Sequence, residues 1–535
     1  MKEDWTTPLS LDIKAWHFLS RTTFGPLPAH VERVKQAGVA GFLEEQFHPE
    51  RIDDSSVDKR IASLPTLTMS PAELMEDFPA PKQQANRQAP GSTSEDMTAK
   101  APAPQANAMG DDGPRRIIME LAREQLWRAA YSDRQLQEVM VHFWMNHFNI
   151  FADKGVDKWL LTSFEQEAIR PNALGSFEDL LAATAKSPAM LFYLDNWLSV
   201  SPDGPAGGFA MRPAPRPFAF GGVNPAGQTA RPPAPGERRG LNENYARELM
   251  ELHTLGVDGG YSQRDVHEVA RCFTGWTIDR PRQGGGFIFR PRFHDYGKKV
   301  VLGKTINDNG GIEDGLEVIR LLAAHPSTAH FISVKLCRHF VADEPPATLV
   351  DSTAQIFTRT RGDLRAVLKS ILTSPEFNSQ AAFRAKVKSP FELVASAVRV
   401  AGGETDGGVP LLATIARMGQ PAFRYQAPTG YPDRAGSWIN SGTLLARMNF
   451  AMALAANRIR GTEVDLESLT GSSDNPRMIL EHLEERALGG SVSRETHAAV
   501  LGSLDGLTGM GNLPAAPKTT MIMALLLGSP EFQRR

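Results

Sequence analysis

The stretch LQEVMVHFWMNHFNIF, residues 136–151, is apolar on almost every side when it is drawn as a helix. A helix with this pattern is buried on most of its surface, which a large helical body can provide. A narrow polar seam interrupts the apolar surface, because polar residues recur every three or four positions and so lie on one line along the helix. The seam consists of Glu138, His142, Asn146 and Asn149. We therefore predict a mainly α fold, a large multi-helix body with this helix inside it.

A second helix is predicted at GLNENYARELMELHTLG, residues 240–256. It has an apolar face, and Gly256 stands at the position where a glycine usually ends a helix. Asn242 and His253 flank the apolar face, so we expect packing to bury both side chains. A polar row runs along the other side of this helix: Asn244, Arg247, Glu248 and Glu251.

The buried seam must find polar partners, because an unpaired buried polar group costs about 1–3 kcal/mol. We predict that the polar row of the second helix faces the seam and supplies those partners. Two interpretations stay open at this point. The contact is either a cleft with an acid/base site, since both rows carry titratable groups, or a structural network that joins two helices.

As an enzyme site, the cleft has candidates for proton transfer and candidates for substrate binding. The candidate catalytic residues are Glu138, His142, Glu248 and His253. The candidate substrate-binding residues are Asn146, Asn149, Asn244, Arg247, Glu251 and His294. Because the donors of an arginine form a fixed fork, Arg247 suits an anionic substrate, and the asparagines suit a hydroxyl-rich one.

Metal chemistry is a further alternative at the same place. Glu138 and His142, with Glu248 and Glu251, would offer oxygen and nitrogen ligands from two helices. The chain lacks the Glu-x-x-His pairs of di-iron bundles in these helices, and it has no His-Glu-x-x-His or Cys-x-x-Cys motif. No metal ligand is therefore assigned, and the cofactor stays unknown, with a divalent metal as the open alternative.

The segment GGGFIFRPRFHDYGKKVVLG has β-type residues on both sides of a turn, which predicts a small hairpin near residues 287–302. His294, Asp295 and Lys298 lie at its tip. A His beside an Asp in a turn is either a general acid/base or part of a turn held by local hydrogen bonds, and the second interpretation is favoured. Ser262 and Asp265 have the spacing of a helix cap, so we assign Asp265 a structural role.

Two stretches rich in Pro, Ala, Gly and Gln interrupt the helical pattern and have little to bury, so we predict that both are disordered insertions. They divide the chain into an N-terminal helical segment, the first insertion, a helical core, a second Pro/Gly/Arg-rich insertion, a helical core with the hairpin, and a C-terminal helical segment. The respective residues are 1–76, 77–114, 115–200, 201–240, 241–400 and 401–535. Near the start, one helix is predicted to end at Gly25 and the next region to break at Gly38 and Gly41.

Composition narrows the class of protein. The 535 residues carry a net charge of −3, which excludes a global basic surface for nucleic acid. The first residues lack the pattern of a signal peptide, and no apolar run approaches the ~20 residues of a membrane span, so a soluble cytoplasmic protein is expected. The two cysteines, Cys272 and Cys337, stand in apolar helical patterns and are expected to be buried free thiols.

Several motifs together resemble the bacterial family called domain of unknown function 1800. They are FLSRTTFGP, FWMNHFNI, LNENYARELMELHTLGVDGGYSQRDVHEVARCFTGWT, RFHDYGKKVVLG, FISVKLCRHFV and PTGYPDRAGSWINSGTLLARMNF. The resemblance implies a large, mostly helical protein with no established activity and no catalytic residues to transfer. It also implies a partner encoded nearby that resembles the alkaline phosphatase and sulfatase superfamily. That partner commonly bears an export signal, so co-export to the periplasm is the alternative location, and a non-catalytic accessory protein is the alternative function.

Overall fold

Helices form most of the chain, as the apolar spacing predicts. The structure is a computed structural model, and it describes residues 4–80, 113–202, 240–306, 309–470, 475–508 and 515–535. In these ranges the α-helices are α1 Leu11–Thr22, α2 Pro28–Gln46, α3 Ser55–Ile61, α4 Pro71–Asp77, α5 Arg115–Tyr131, α6 Gln135–His147, α7 Asp157–Ser163, α8 Phe177–Lys186, α9 Pro188–Tyr193, α10 Glu243–Met250, α11 Gln263–Cys272, α12 Ile312–Ala323, α13 Pro326–Phe340, α14 Ala347–Arg359, α15 Leu364–Leu372, α16 Pro390–Val400, α17 Val409–Arg417, α18 Ser441–Ala455, α19 Leu466–Thr470, α20 Pro476–Leu488, α21 Arg494–Thr508 and α22 Ala515–Gly528.

Short turns of other helical types connect these elements. The 3₁₀ turns are Pro49–Arg51, Pro65–Leu67, Arg170–Asn172, Asn196–Leu198, Pro281–Gln283, Pro291–Phe293 and Ala435–Ser437. Two π-turns, Phe164–Ile169 and Glu251–Leu255, follow α7 and α10. The predicted insertions 77–114 and 201–240 lie mostly outside the described residues.

The helix α6 is buried in the hydrophobic core, as its sequence predicts. Met140, Trp144 and Phe148 are fully buried, and they belong to one hydrophobic core whose members run from Ala15 to Phe532. The helix ends at His147, earlier than the apolar pattern, because the backbone leaves the helical region at Phe148. Within the described ranges, no helix is both long and apolar enough to cross a bilayer.

Local signals set several helix ends. Gly38 has φ 71°, which breaks α2 where the sequence predicts a break, while the backbone continues as a helix through Gly41. The first helix ends at Thr22 rather than at Gly25. The side-chain oxygen of Ser262 accepts a hydrogen bond from the Asp265 amide, which confirms the predicted cap of α11. Both cysteines are buried and free, as expected.

The cap of α10 explains why Asn242 stands near the apolar face. Its side-chain oxygen accepts from the amides of Asn244 and Tyr245, and its amide donates to the Leu194 carbonyl at 2.6 Å. Asn242 is therefore an N-cap. At the other end the chain widens into the π-turn and leaves it at Gly256, with φ 82°.

The prediction that residues 287–302 pair with each other as one hairpin is wrong. Its two halves pair with other strands, in the antiparallel ribbons β1 Trp276–Ile278 with β2 Phe287–Phe289 and β3 Lys299–Val301 with β4 Lys304–Ile306. A third ribbon joins β5 Glu404–Thr405 and β6 Thr462–Glu463. The physical reason lies between β2 and β3. Pro291 has no amide hydrogen to donate to a ladder and starts a 3₁₀ turn.

Several buried histidines predict a loss of stability in mild acid. Burial lowers the pKa of His17 and of His253 to about 3 and that of His142 to about 4, from 6.5. Between pH 6.5 and 4 the unfolded chain binds protons that the folded chain excludes. We therefore expect the free energy of unfolding to fall, as pH falls through this window, by about 1.4 kcal/mol per pH unit for each such histidine.

Urea unfolding between pH 7 and pH 4 measures this slope. His17→Gln keeps a donor for the Phe377 carbonyl, which His17 Nε2 contacts at 2.8 Å, and removes one titrating group. We expect its slope to be smaller than that of the wild type. His267→Gln, at an exposed position, is the control and should leave the slope unchanged. Equal slopes for all three proteins would contradict the account.

Candidate functional site

The polar seam of α6 does not meet the polar row of α10. Glu138 is buried and accepts two hydrogen bonds from Arg170 Nη1, at 2.8 and 3.0 Å. The second terminal nitrogen of Arg170 contacts Glu165 at 2.7 Å. Both oxygens of Glu138 are thus occupied by a buried ion pair from the segment after α7, which makes this residue part of the packing between helices.

The two asparagines of the seam hold a distant loop. Asn146 donates to the Tyr431 carbonyl at 2.9 Å and accepts from the Tyr431 amide at 2.7 Å. Asn149 donates to the carbonyls of Tyr425 and Ala427, at 3.0 and 2.8 Å. These contacts fix the segment 420–438 against the end of α6. The predicted substrate-binding role of both residues stays a prediction, but their amides already have backbone partners.

The polar row of α10 faces α11 instead. Arg247 donates to the side chain of Gln263 at 2.7 Å, and the Tyr261 hydroxyl donates to Glu251 at 2.7 Å. Asn244 is exposed. The prediction that this row supplies partners to the seam is therefore wrong. The reason is that the seam finds its partners in Arg170 and the segment 420–438, which leaves the row free to pair with its own sequence neighbours.

The two helices do touch, through other side chains. His147 Nε2 donates to the His253 carbonyl at 3.1 Å, and the ring of Phe148 packs edge-on against His253 with 5.1 Å between centroids. His253 is buried, as predicted. Glu248 is half-buried, and burial followed by the nearby Glu251 carboxylate raises its pKa to about 6. Neither His253 nor Glu248 lines the cavities described below, so the predicted proton exchange with His142 lacks geometric support.

His294 is fastened inside the fold. Its Nδ1 lies 2.8 Å from the Thr274 carbonyl and its Nε2 lies 3.0 Å from an Asp314 oxygen, so both nitrogens are within hydrogen-bond distance of a protein oxygen. Lys299 donates to the same Asp314 oxygen at 2.8 Å. Arg271 holds the neighbouring Asp295 carboxylate with two hydrogen bonds of 2.7 and 3.0 Å. This geometry favours the interpretation of a turn held by hydrogen bonds over a substrate contact.

Two adjacent cavities lie where α6 meets the segment 420–438. The larger, about 430 Å³, is walled mainly by apolar side chains of α5, α17 and this segment, and we name it the apolar cavity. The smaller, about 240 Å³, is walled by α6, α13, the start of α16 and residues 429–438, and we name it the polar cavity. Both have His142, Asn146, Gln420 and Tyr431 in their walls.

His142 is the only residue of the seam that has no hydrogen bond to any described residue. The ring stacks on Phe391, with 4.7 Å between centroids and 14° between planes, and it meets the edge of Phe24. Because burial lowers its pKa to about 4, the ring is neutral near pH 7. A neutral imidazole in a cavity wall whose nitrogens form no hydrogen bond with a described residue is suited to accept a proton or a hydrogen bond from a ligand.

A His–Asp pair lies in the wall of the polar cavity. His339 Nδ1 is 3.0 Å from an Asp433 oxygen, and the other oxygen of Asp433 contacts Lys386 Nζ at 2.8 Å. Burial alone would raise the pKa of Asp433, but Lys386 and His339 hold it well below its usual range. Arg535 Nη2 is 3.5 Å from the same His339 nitrogen, a much weaker contact than the one with Asp433.

The protonation of His339 follows from this pair. Asp433 is ionised and accepts from Nδ1, so the proton of the neutral ring is on Nδ1 and the lone pair is on Nε2. Burial, followed by the charge of Arg535, lowers the pKa of His339. Nε2 has no hydrogen-bond partner in the described part of the chain. The arrangement therefore matches a general base oriented by a carboxylate.

Two cations of α13 in the same wall lack a carboxylate partner among the described residues. Lys335 Nζ lies 5.6 Å from the centre of the Phe331 ring. Burial lowers its pKa to about 8, a value that already includes a raising effect of the Asp433 carboxylate and a lowering effect of Arg338. Arg338 donates through Nε to the Asp343 carbonyl at 3.0 Å. Asp433 and Glu392 line the same cavity, but neither forms an ion pair with these two cations. Two neighbouring cations that form no ion pair with a described carboxylate offer a site for an anion.

The sequence interpretation missed Lys335, Arg338, His339 and Asp433. Three of them recur at i, i+3 and i+4 in FISVKLCRHFV, a helix that is otherwise apolar, so the spacing carries a signal like that of the α6 seam. Asp433 comes from the loop PTGYPDRAGSW and has no periodic signal. Within the described ranges, no group of three or more His, Cys, Asp and Glu side chains is arranged to hold a metal ion.

The hydrogen bonds of Asn149 are expected to contribute to the stability of the fold. Asn149→Ala removes the donor to two carbonyls of the segment 420–438, so we expect the free energy of unfolding to fall by about 1–3 kcal/mol. Hydrogen exchange of the amides from 425 to 427 should become faster. Asn244→Ala, at an exposed position, is the control and should change neither quantity. Unchanged exchange in Asn149→Ala would show that the loop does not depend on this residue.

Comparisons with known proteins agree with the resemblance carried by the motifs. No curated protein and no solved structure matches the chain. One family model matches residues 17–534, nearly the whole sequence, and its description is "Protein of unknown function (DUF1800)". The chain therefore belongs to the DUF1800 family.

Proposed function

We propose that this protein is an enzyme that carries out acid/base chemistry on a substrate with an anionic group, bound in the polar cavity. The observation that carries the proposal is the pair of cations Lys335 and Arg338, unpaired with carboxylates among the described residues, beside the His339–Asp433 pair in one cavity. The cations bind the anion. His339 Nε2 takes or returns the proton, and Asp433 keeps the ring in the required tautomer.

This assignment moves the proposed site away from Glu138, Glu248 and His253 and keeps His142 from the predicted set. Glu138 is occupied by Arg170, and the other two lie outside both cavities. An anionic substrate is still favoured, but Lys335 and Arg338 take the place of Arg247 as the residues that bind it. Hydrolysis or group transfer on an envelope component remains the reaction class suggested by the family resemblance.

A turnover assay tests the proposal. The purified protein is incubated with p-nitrophenyl phosphate, p-nitrophenyl sulfate and the p-nitrophenyl monoester of succinate, and release of nitrophenolate is followed. We expect turnover of one of these anionic esters. His339→Gln should lower the rate by at least about 100-fold, because a positioned base contributes that much. His330→Gln, on the exposed side of the same helix, is the matched control and should keep the wild-type rate.

The alternative is a non-catalytic accessory protein that docks a partner resembling the phosphatase and sulfatase superfamily. One surface favours it: α18 exposes Leu445, Met448 and Met452, with 60%, 54% and 58% of each residue accessible. Co-purification with that partner, lost in Met448→Asp, together with no turnover of any ester, would favour the accessory role and contradict the enzyme.

A further inference from the structure

The apolar cavity adds information about the shape of the ligand. Its volume of about 430 Å³ lies within the range of small-molecule sites, roughly 300–1,000 Å³. Ile118, Met145, Phe391, Leu412 and Ala416 contribute to its wall, and these come from α5, α6, α16 and α17. Apolar side chains that line a cavity have packing contacts on one side only, so an apolar group placed there would add contacts on the other.

The two cavities share a border at which one side chain has ring contacts but no hydrogen bond to a described residue. Gln420 accepts from the Phe391 amide at 2.9 Å, the Tyr431 hydroxyl donates to the Pro421 carbonyl at 2.7 Å, and Asn146 is held by the Tyr431 backbone. His142 has no hydrogen bond to any described residue and is held by ring contacts. It can therefore change rotamer without breaking a hydrogen bond, and a ligand that crosses the border would meet it first.

The two cavities on either side of this border favour ligand groups of opposite polarity. The polar cavity offers Lys335 and Arg338, which form no ion pair with a carboxylate in the described part of the chain, and the apolar cavity offers a mainly hydrocarbon wall. A small polar anion would leave the apolar cavity unfilled. A wholly apolar ligand would leave both cations without a counterion.

We propose that the ligand is an anionic amphiphile, with its charged head at Lys335 and Arg338 and its hydrocarbon tail in the apolar cavity. The proposal rests on the proposed function and specifies its substrate class. His142 lines both cavities and His339 lines the polar cavity, so we expect the junction of head and tail to lie beside His142. A phosphate, sulfate or carboxylate head on a single hydrocarbon chain satisfies these demands.

Calorimetric titration of the full chain tests this with two probes, inorganic phosphate and decyl phosphate below its micelle concentration. We expect decyl phosphate to bind at least about 100-fold more tightly, because each buried methylene adds roughly 0.8 kcal/mol. Ala416→Trp fills the apolar cavity, so it should remove this advantage and leave the affinity for inorganic phosphate unchanged. Arg417→Trp places the same ring on the exposed side of α17 and should behave as the wild type.

The outcomes separate the two proposals. Inorganic phosphate binding that is lost in Lys335→Met, without a gain from the decyl chain, overturns the amphiphile and leaves the anion site standing. A decyl gain that survives in Ala416→Trp also overturns it. If neither probe binds, both proposals fail. Should Ala416→Trp not fold by circular dichroism, Leu412→Trp fills the same cavity from the same helix and replaces it.

Discussion

Lys386→Met is expected to lower the free energy of unfolding by about 3–5 kcal/mol, the usual effect of breaking a buried ion pair. The side chain of Lys386 is 1% exposed, and its ammonium contacts Asp343 Oδ1 at 2.5 Å and Asp433 Oδ1 at 2.8 Å. It also donates to the Asp433 carbonyl at 3.1 Å. The substitution leaves two carboxylates without this cation and removes the link that Lys386 makes between Asp433 and Asp343, a residue of the loop after α13.

Urea unfolding at pH 7, followed by circular dichroism, measures this loss. Lys35→Met is the matched control, because Lys35 pairs with Glu32 at 3.0 Å while both side chains are more than half exposed. An exposed pair of this kind contributes little to stability, because water screens the two charges. If Lys386→Met were as stable as Lys35→Met, the network under the polar cavity would not hold the fold together.

Lys335→Met is expected to have the opposite effect, a gain in the free energy of unfolding of about 1–3 kcal/mol at pH 7. Its pKa is lowered from 10.5 to about 8, so the folded protein binds a proton less readily than the unfolded chain. Stability therefore falls as pH drops through 10.5 towards 8, and the charged lysine keeps that cost at pH 7. A methionine of similar length fills the same space without a charge.

The same unfolding experiment at pH 7, 9 and 10.5 measures this gain, which should shrink as pH rises because the wild-type lysine loses its charge. Residues that bind ligands often reduce the stability of the protein. If Lys335→Met gains free energy of unfolding and also loses anion binding, Lys335 is a ligand-binding residue and not a structural one. Destabilisation of Lys335→Met, similar to that of Lys386→Met, would assign Lys335 to the structural network.

The sequence predicts elements better than it predicts their partners. The burial of α6, the end at Gly256 and the break at Gly38 follow from residues close in sequence, where periodicity and backbone preferences apply. The partners of the seam are remote: Arg170 is 32 residues from Glu138, and Tyr431 is 285 residues from Asn146. Nothing in the helical period encodes such pairings. The sequence therefore favours the polar row of the α10 helix as the partner of the seam, and the structure shows other partners.

The candidate site illustrates the same division. The sequence identifies His142 as a candidate because a polar side chain in a buried apolar helix needs a polar partner. His339 and Asp433 are 94 residues apart, and only the fold brings them together. The helical pattern around Lys335 fits a lysine in a cavity wall. It fits equally well an exposed lysine whose hydrocarbon stem covers an apolar surface. Whether such a lysine faces solvent or a cavity depends on the neighbours of α13, which the helical pattern does not specify.

The proposed function requires that the polar cavity bind an anion between Lys335 and Arg338. The most direct measurement is an anomalous difference map from crystals of the wild-type protein soaked in tungstate, a heavy analogue of phosphate and sulfate. We expect a peak in the polar cavity with an oxygen within about 4 Å of Lys335 Nζ, the distance of an ion pair, and no such peak in crystals of Lys335→Met. Tungstate bound only at other surfaces, with the polar cavity empty, would contradict the claim.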